Sequence, residues 1–190
     1  MAYEQVSGNR YIKRIYFFLQ QLTSSRNSWF SLTFTNSAAI VQFAIELHDL
    51  LVAELQNLLP AGSFSTECLF QTIPTYFSQV SVKKGGNVLG LDSETQNAFL
   101  WLLTGTFQTA GHETTARPLM LAYNALLEDY AIFVGANVAW RYINYVDSTH
   151  DPLASYGAAN IALMKSVSAK YDLAQVFQTK SPSGFKLSAM

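Results

Sequence analysis

Apolar and polar residues alternate along "WFSLTFT", residues 29–35, and that period predicts a strand. The spacing then changes. Asn36, a good N-cap residue, precedes Ile40, Phe43, Ala44, Leu47, Leu50, Leu51, Leu55 and Leu58 at three- and four-residue steps, with Gln42, Glu46, Asp49 and Gln56 between them. This pattern predicts an amphipathic helix with one buried stripe, ended by Pro60 and Gly62. "STECLFQTIP", residues 65–74, reads as a second strand broken by Pro74, and "KKGGNVLGL", residues 83–91, as a loop. The long apolar run "AFLWLLTGTFQ", residues 98–108, suits a buried central strand. Pro118 is placed at the start of a second helix carrying Leu119, Tyr123, Leu126, Leu127 and Tyr130. "AWRYINYV", residues 139–146, predicts a further strand. Residues 158–170 predict a last helix, with Ile161, Met164, Val167 and Tyr171 on one face.

Strands alternate with helices over connections long enough to cross over, which leaves the strand direction open; the expected fold class is α+β, a mainly antiparallel sheet covered by helices on one face. The first 27 residues show weak periodicity. There is no internal repeat and no low-complexity segment.

Composition narrows the function. The chain has 190 residues, enough for one domain with a real core. Apolar residues make up 49%, which excludes a disordered chain. Charged residues make up only 13%, so the surface is either rich in Ser, Thr, Asn and Gln or covered by another domain or partner. With a net charge of -1 and no Lys/Arg cluster beyond pairs, no electrostatic argument favours nucleic acid. The apolar stretch at residues 15–19 is too short for a signal-peptide core or a membrane span. The expectation is a cytosolic chain with no membrane partner. Cys68 is the single cysteine, so no intrachain disulfide can form, and its apolar surroundings predict an inert thiol.

Standard catalytic motifs fail. "HETT" at His112 would need a second histidine at position 116, which is Ala116. His48, His112 and His150 are too scattered for ligand spacing, so no metal is expected. "KKGGN" lacks the Walker spacing and reads as a flexible loop. Neither a nucleophile elbow nor a Gly-x-Gly-x-x-Gly fingerprint occurs. The densest polar-aromatic stretch is "WRYINYVDSTHDPLASYG", residues 140–157. In a strand, Tyr142 and Asn144 would share one face, with Arg141, Ile143 and Tyr145 on the other. A phenol and a carboxamide on one face can hydrogen-bond a planar polar ligand. They can equally reach solvent with no ligand at all.

That same stretch, continuing through "AANIALMKSVSAKYDLAQVFQTKSPSGFKL", carries a resemblance, and so does "GGNVLGLD" at residues 85–92. From Trp29 onward the chain resembles the C-terminal half of fungal FAD-linked oxidoreductases with a PCMH-type flavin domain, a family that includes berberine-bridge-like oxidases. The shared features are a Tyr-x-Asn-Tyr strand, an Asp-Pro turn, a Tyr-Gly pair opening a helix, and a "KYD…VFQ…GFKL" tail. The departures are Leu173 for a proline, Ser183 for a glycine, and His150 for a common glutamine.

The resemblance implies FAD as cofactor and a small organic molecule as substrate, in secondary-metabolite biosynthesis. It implies that Tyr142, Asn144 and Tyr145 line the flavin ring, with Tyr142 as catalytic base or substrate-orienting group. The family's flavin-binding half has no match here. The expectation is therefore a truncated oxidoreductase that does not retain FAD alone, with a partner chain as one possible source of the flavin domain. A flavin-free small-molecule binder or cyclase, or an inactive remnant, stands as the alternative. Full-length relatives of this kind can be secreted. The implied organisation is a divergent segment over 1–28, a substrate-domain-like region over 29–139, and a berberine-bridge-like segment over 140–190. The tail from residue 171 derives from a flavin domain, so it is expected to pack poorly on the rest of this chain.

Overall fold

The structure is a computed structural model and describes residues 25–181 and 183–189. The weakly periodic segment at 1–24 lies outside the described residues. Four strands form one antiparallel sheet: β1 (Arg26–Thr35), β2 (Phe64–Ile73), β3 (Ala98–Phe107) and the two-residue β4 (Asn137–Val138). Their spatial order is β2-β3-β1-β4. Helix α1 (Ala38–Leu58) connects β1 to β2 across β3, and α3 (Ala110–Phe133) connects β3 to β4 across β1. These are two interleaved crossovers, the split βαβ arrangement.

Alternation along β1 sorts the two faces. Phe30, Leu32 and Phe34 join Trp101, Leu103 and Phe107 of β3 in the main core. Helix α1 contributes Ile40, Ala44, Leu47, Leu51 and Leu55, all buried, as its stripe predicts. Leu50 and Leu58, counted in that stripe from the sequence, are instead more than half exposed. Helix α3 contributes Ala116, Met120, Leu127 and Ala131, and alanines on this face let the helix lie close to the sheet. At Gly105 there is no room for a side chain, because a Cβ would stand 2.9 Å from the Met120 methyl and 2.8 Å from the Phe107 ring.

Three sequence expectations change. Pro118 does not start the second helix but lies inside it: α3 begins at Ala110, capped by Thr109 Oγ1, which accepts from His112 N–H at 3.2 Å. The cap supplies the start signal, and Pro118 is tolerated on an exposed part of the helix. Leu126 is half-exposed, so the buried face is rotated toward Met120 and Ala131. A further helix, α2 (Thr75–Lys83), follows Pro74, where the sequence leaves helix or loop open; none of its residues is buried, which explains the weak signal.

The third change concerns the strand expected at 139–146. Only Asn137 and Val138 pair with β1, and residues 143–145 form a turn closed by Tyr145 N–H to Tyr142 O at 3.0 Å. Past Val138 the chain is held by the 153–156 segment instead: Arg141 N–H donates to Ser155 Oγ at 3.1 Å and Ile143 N–H to the Tyr156 hydroxyl at 3.2 Å. Helix α4 (Ala158–Tyr171), the short α5 (Val176–Thr179) and a last turn at Leu187–Ala189 complete the chain. Of the predicted face of α4, Ile161 and Met164 pack on a second, smaller core, while Val167 and Tyr171 are exposed. The tail divides likewise. Leu173 (86% exposed) and Phe177 (73%) are open to solvent, but Phe185 and Leu187 pack on the second core.

Candidate functional site

The second core lies on the sheet face away from α1 and α3. It gathers Leu100, Val138, Trp140, Leu153 and Tyr156. Two stretches far apart in sequence meet here. Trp140 Nε1–H donates to Leu89 O at 2.8 Å, and Gly90 adopts φ +77° against the Tyr156 backbone. A Cβ at Gly90 would stand 2.7 Å from Tyr156 O, so only glycine allows this approach. The "GGNVLGLD" loop and the 140–157 segment thus form one unit.

Aromatic rings run through this unit. Trp140 stacks on Tyr142 (5.8 Å between centroids) and on Tyr156 (6.4 Å). Tyr142 meets Tyr145 edge to face at 5.0 Å, and Tyr145 meets Trp29 of β1 at 5.5 Å. Tyr156 is buried; its hydroxyl accepts from Ile143 N–H at 3.2 Å, and burial pushes the phenol above its ordinary pKa. Tyr156 is therefore a fixed neutral pillar. Asn144 is exposed, and its Nδ2–H donates to Tyr142 Oη at 2.8 Å. Its carboxamide oxygen has no partner among the described residues. Tyr142 and Asn144 are thus brought together by the turn, with Tyr145 against the same ring.

Charged groups fasten the segment to α3. Arg141 is 5% exposed and bonds Glu128 of α3, with Val138 O accepting at 2.6 Å. His150 Nε2 lies 3.6 Å from the other Glu128 oxygen. His150 and the Arg141 guanidinium hold the Glu128 carboxyl below the usual carboxylate range, against the opposing effect of burial. Arg117 of α3 forks onto Asp147 at 2.9 and 3.0 Å. No local motif announces these pairs, because each partner lies at least a helix away in sequence. Trp29, Trp140, Gly90 and Tyr156 were likewise not singled out as site residues from the sequence.

Could these residues serve a flavin? The accessible parts of the Tyr142 and Tyr145 rings are the kind of surface a flavin ring stacks on, and the free Asn144 oxygen is an acceptor of the kind a ring N–H requires. The diphosphate does not fit anything among the described residues. Ser37 at the start of α1 makes no side-chain cap bond, and no glycine-rich strand-to-helix turn occurs. Nor is any group of three potential metal ligands present among them. A pocket beside α2, lined by Thr33, Ile73, Phe77, Leu91 and Val138 among others, does not include Tyr142, Asn144 or Tyr145. Among the described residues no helix is long and apolar enough to cross a membrane.

No family profile matches the chain, and no solved structure matches it. Curated proteins do. An FAD-dependent monooxygenase of Aspergillus calidoustus is 28% identical over 192 residues, covering 98% of this chain and 36% of the relative. A second FAD-dependent monooxygenase, of Emericella nidulans, is 28% identical over 155 residues, covering 82% and 32%. Both are fungal FAD-dependent monooxygenases. A bifunctional solanapyrone synthase of Alternaria solani is 31% identical over 105 residues, covering 55% and 20%. This chain therefore spans about a third of the length of the first two relatives. At 98% coverage, the match to the Aspergillus monooxygenase extends into the first 27 residues.

Proposed function

We propose that these 190 residues form the substrate-side part of an FAD-linked oxidoreductase of the PCMH-type, berberine-bridge-like family, oxidising a small organic molecule in fungal secondary metabolism. The observation that carries this reading is the Tyr142–Asn144 pair, hydrogen-bonded and half-exposed on the sheet face away from the helices. The flavin-dependent relatives support it. Sequence of the kind the relatives carry outside the matched third, in the same or a partner chain, would hold the FAD diphosphate. A bound flavin supplies the hydride- or electron-accepting chemistry.

The chain's own groups do the rest. Asn144 donates to Tyr142 Oη, which leaves the phenolic proton free to point at a substrate oxygen. Tyr142 so orients the substrate and exchanges a proton with it. Tyr145 and Trp140 flank the Tyr142 ring and fix its plane.

Binding of flavins to the chain tests this. With a ring site and no diphosphate site, FAD and riboflavin should bind weakly and equally, and gel filtration should strip both. Tyr142→Ala should abolish the binding of each. Retention of FAD through gel filtration would overturn the assignment of the diphosphate to sequence outside these residues, and no interaction with either flavin would overturn the reading as a whole.

A further inference from the structure

The strand register defines rows of side chains across the face away from the helices. One row stands apart. Trp29 of β1 pairs with Thr104 of β3, and Thr104 with Glu67 of β2. All three side chains are at least partly accessible. The Trp29 indole N–H, the Thr104 hydroxyl and the Glu67 carboxylate have no partner among the described residues. The neighbouring row differs, since Thr106 Oγ1 is already bonded to Asn27 at 2.9 Å. At its β1 end the row abuts Tyr145, whose ring meets Trp29 at 5.5 Å and Tyr142 at 5.0 Å. The row therefore starts at the candidate site and runs outward over β3 and β2.

Cover on this face is uneven. Ser31 and Thr33 of β1 are fully buried, and Leu100 and Leu102 of β3 nearly so. Ser65, Glu67, Leu69 and Gln71 of β2 are exposed. The second core thus reaches β2 only at Ile73 and leaves Ser65 through Gln71 on this face open beside an aromatic wall. Glu67 is the single charged residue that the strands place on this face; the nearest strand cation, Arg26, points to the helix side and is paired with Glu113.

We infer that the Trp29–Thr104–Glu67 row reads the substrate, and that the substrate is a planar, fused-ring molecule bearing a hydroxyl donor and no carboxylate at that end. This deepens the proposed function and rests on it. Trp29 and Tyr145 offer ring faces for stacking. Two strand spacings, about 10 Å, separate the Trp29 and Glu67 backbones, a span that suits a ligand of two or three fused rings. A phenolic O–H donated to an ionised carboxylate makes a charge-assisted bond, roughly twice as strong as a neutral one. An anionic group in the same place meets Glu67 with like charge, and no described strand residue on this face is a cation to offset it. Thr104 sits midway and can donate or accept.

The test needs no flavin. Three probes, 2-naphthol, 2-methoxynaphthalene and 2-naphthoate, are titrated into the 190-residue chain while NMR follows the Trp29 indole N–H. The naphthol should shift that signal and bind roughly tenfold more tightly than the methyl ether, with the naphthoate weakest. Glu67→Ala should bring the naphthol down to the level of the ether, and Glu67→Gln should restore part of the loss while admitting the naphthoate. Because Glu67 is exposed and unpaired, both variants should keep the wild-type Tm. Equal affinity for the three probes, unchanged affinity in Glu67→Ala, or no shift at Trp29 would overturn the inference. The two readings fail separately: equal flavin binding can hold while the naphthols do not discriminate, and the reverse.

Discussion

The two faces of the sheet are held by different physics. On the helix side, long regular elements bury aliphatic and aromatic side chains in one continuous core. On the other side an irregular segment lies over a few rings and is tied down by single hydrogen bonds and by charges reaching back to α3. Burial on the first face is spread over many residues and depends little on any one polar contact. On the second face, stability is concentrated in a few contacts, each with a named partner. The face proposed above to admit a ligand cannot be packed like a core, so polar fastening is the remaining way to fix its shape.

The helix side is most vulnerable at Phe30. It is fully buried between the sheet and α3, and Arg117 lies over its ring at 5.5 Å. Phe30→Ala should cost about 3–5 kcal/mol and unfold both faces together. Chemical denaturation followed by circular dichroism reads the loss.

Glu128→Gln should be next. It leaves the Arg141 charge buried without its counter-ion, at about 2–3 kcal/mol, less than for a fully buried pair because Glu128 is about a quarter exposed. Hydrogen exchange should show residues 139–157 opening ahead of α1. The pH sign follows from the carboxyl being held low in the folded state. The Glu128 contribution is fully present above its unfolded pKa of about 4.3 and is lost as pH falls through the lower folded value. Wild type and Glu128→Gln should therefore differ in Tm at neutral pH and converge in acid.

Tyr156→Phe removes the acceptor of Ile143 N–H and should cost about 1 kcal/mol. It should also loosen the 142–145 turn, read as a weaker Tyr142–Asn144 contact by NMR. Phe177→Ser sharpens the contrast from the other end. At 73% exposure it should change stability by less than about 0.5 kcal/mol. The same variant should lower aggregation, measured by light scattering.

What could be read in the sequence follows the same division. Residues 29–35 and 98–108 alternate or run apolar because their neighbours in the sheet and helices demand it, and strands stand there. The stripe of α1 is a local period with a local cause. The 139–146 stretch carries strand-like residues, yet Trp140 bonds Leu89 O, Arg141 N–H bonds Ser155 and Ile143 N–H bonds Tyr156, all from other segments. No window of sequence holds that contest. Tyr142, Asn144 and Tyr145 do come together, but through a turn and ring contacts rather than through strand alternation. Trp29 reaches the same cluster from more than a hundred residues away, beyond any spacing rule.

The strand order β2-β3-β1-β4 sets a schedule for synthesis. β1 emerges first, but its partner β3 arrives only after α1, β2 and α2 have been made; Arg26 waits for Phe107. Until then the apolar stripe of α1 has no sheet to cover. At about 5–20 residues per second the ribosome holds the chain in this half-made state for several seconds. Folding of this protein is thus gated by translation through residue 107, and a nascent chain arrested before β3 should be a chaperone client while one arrested after β4 should not.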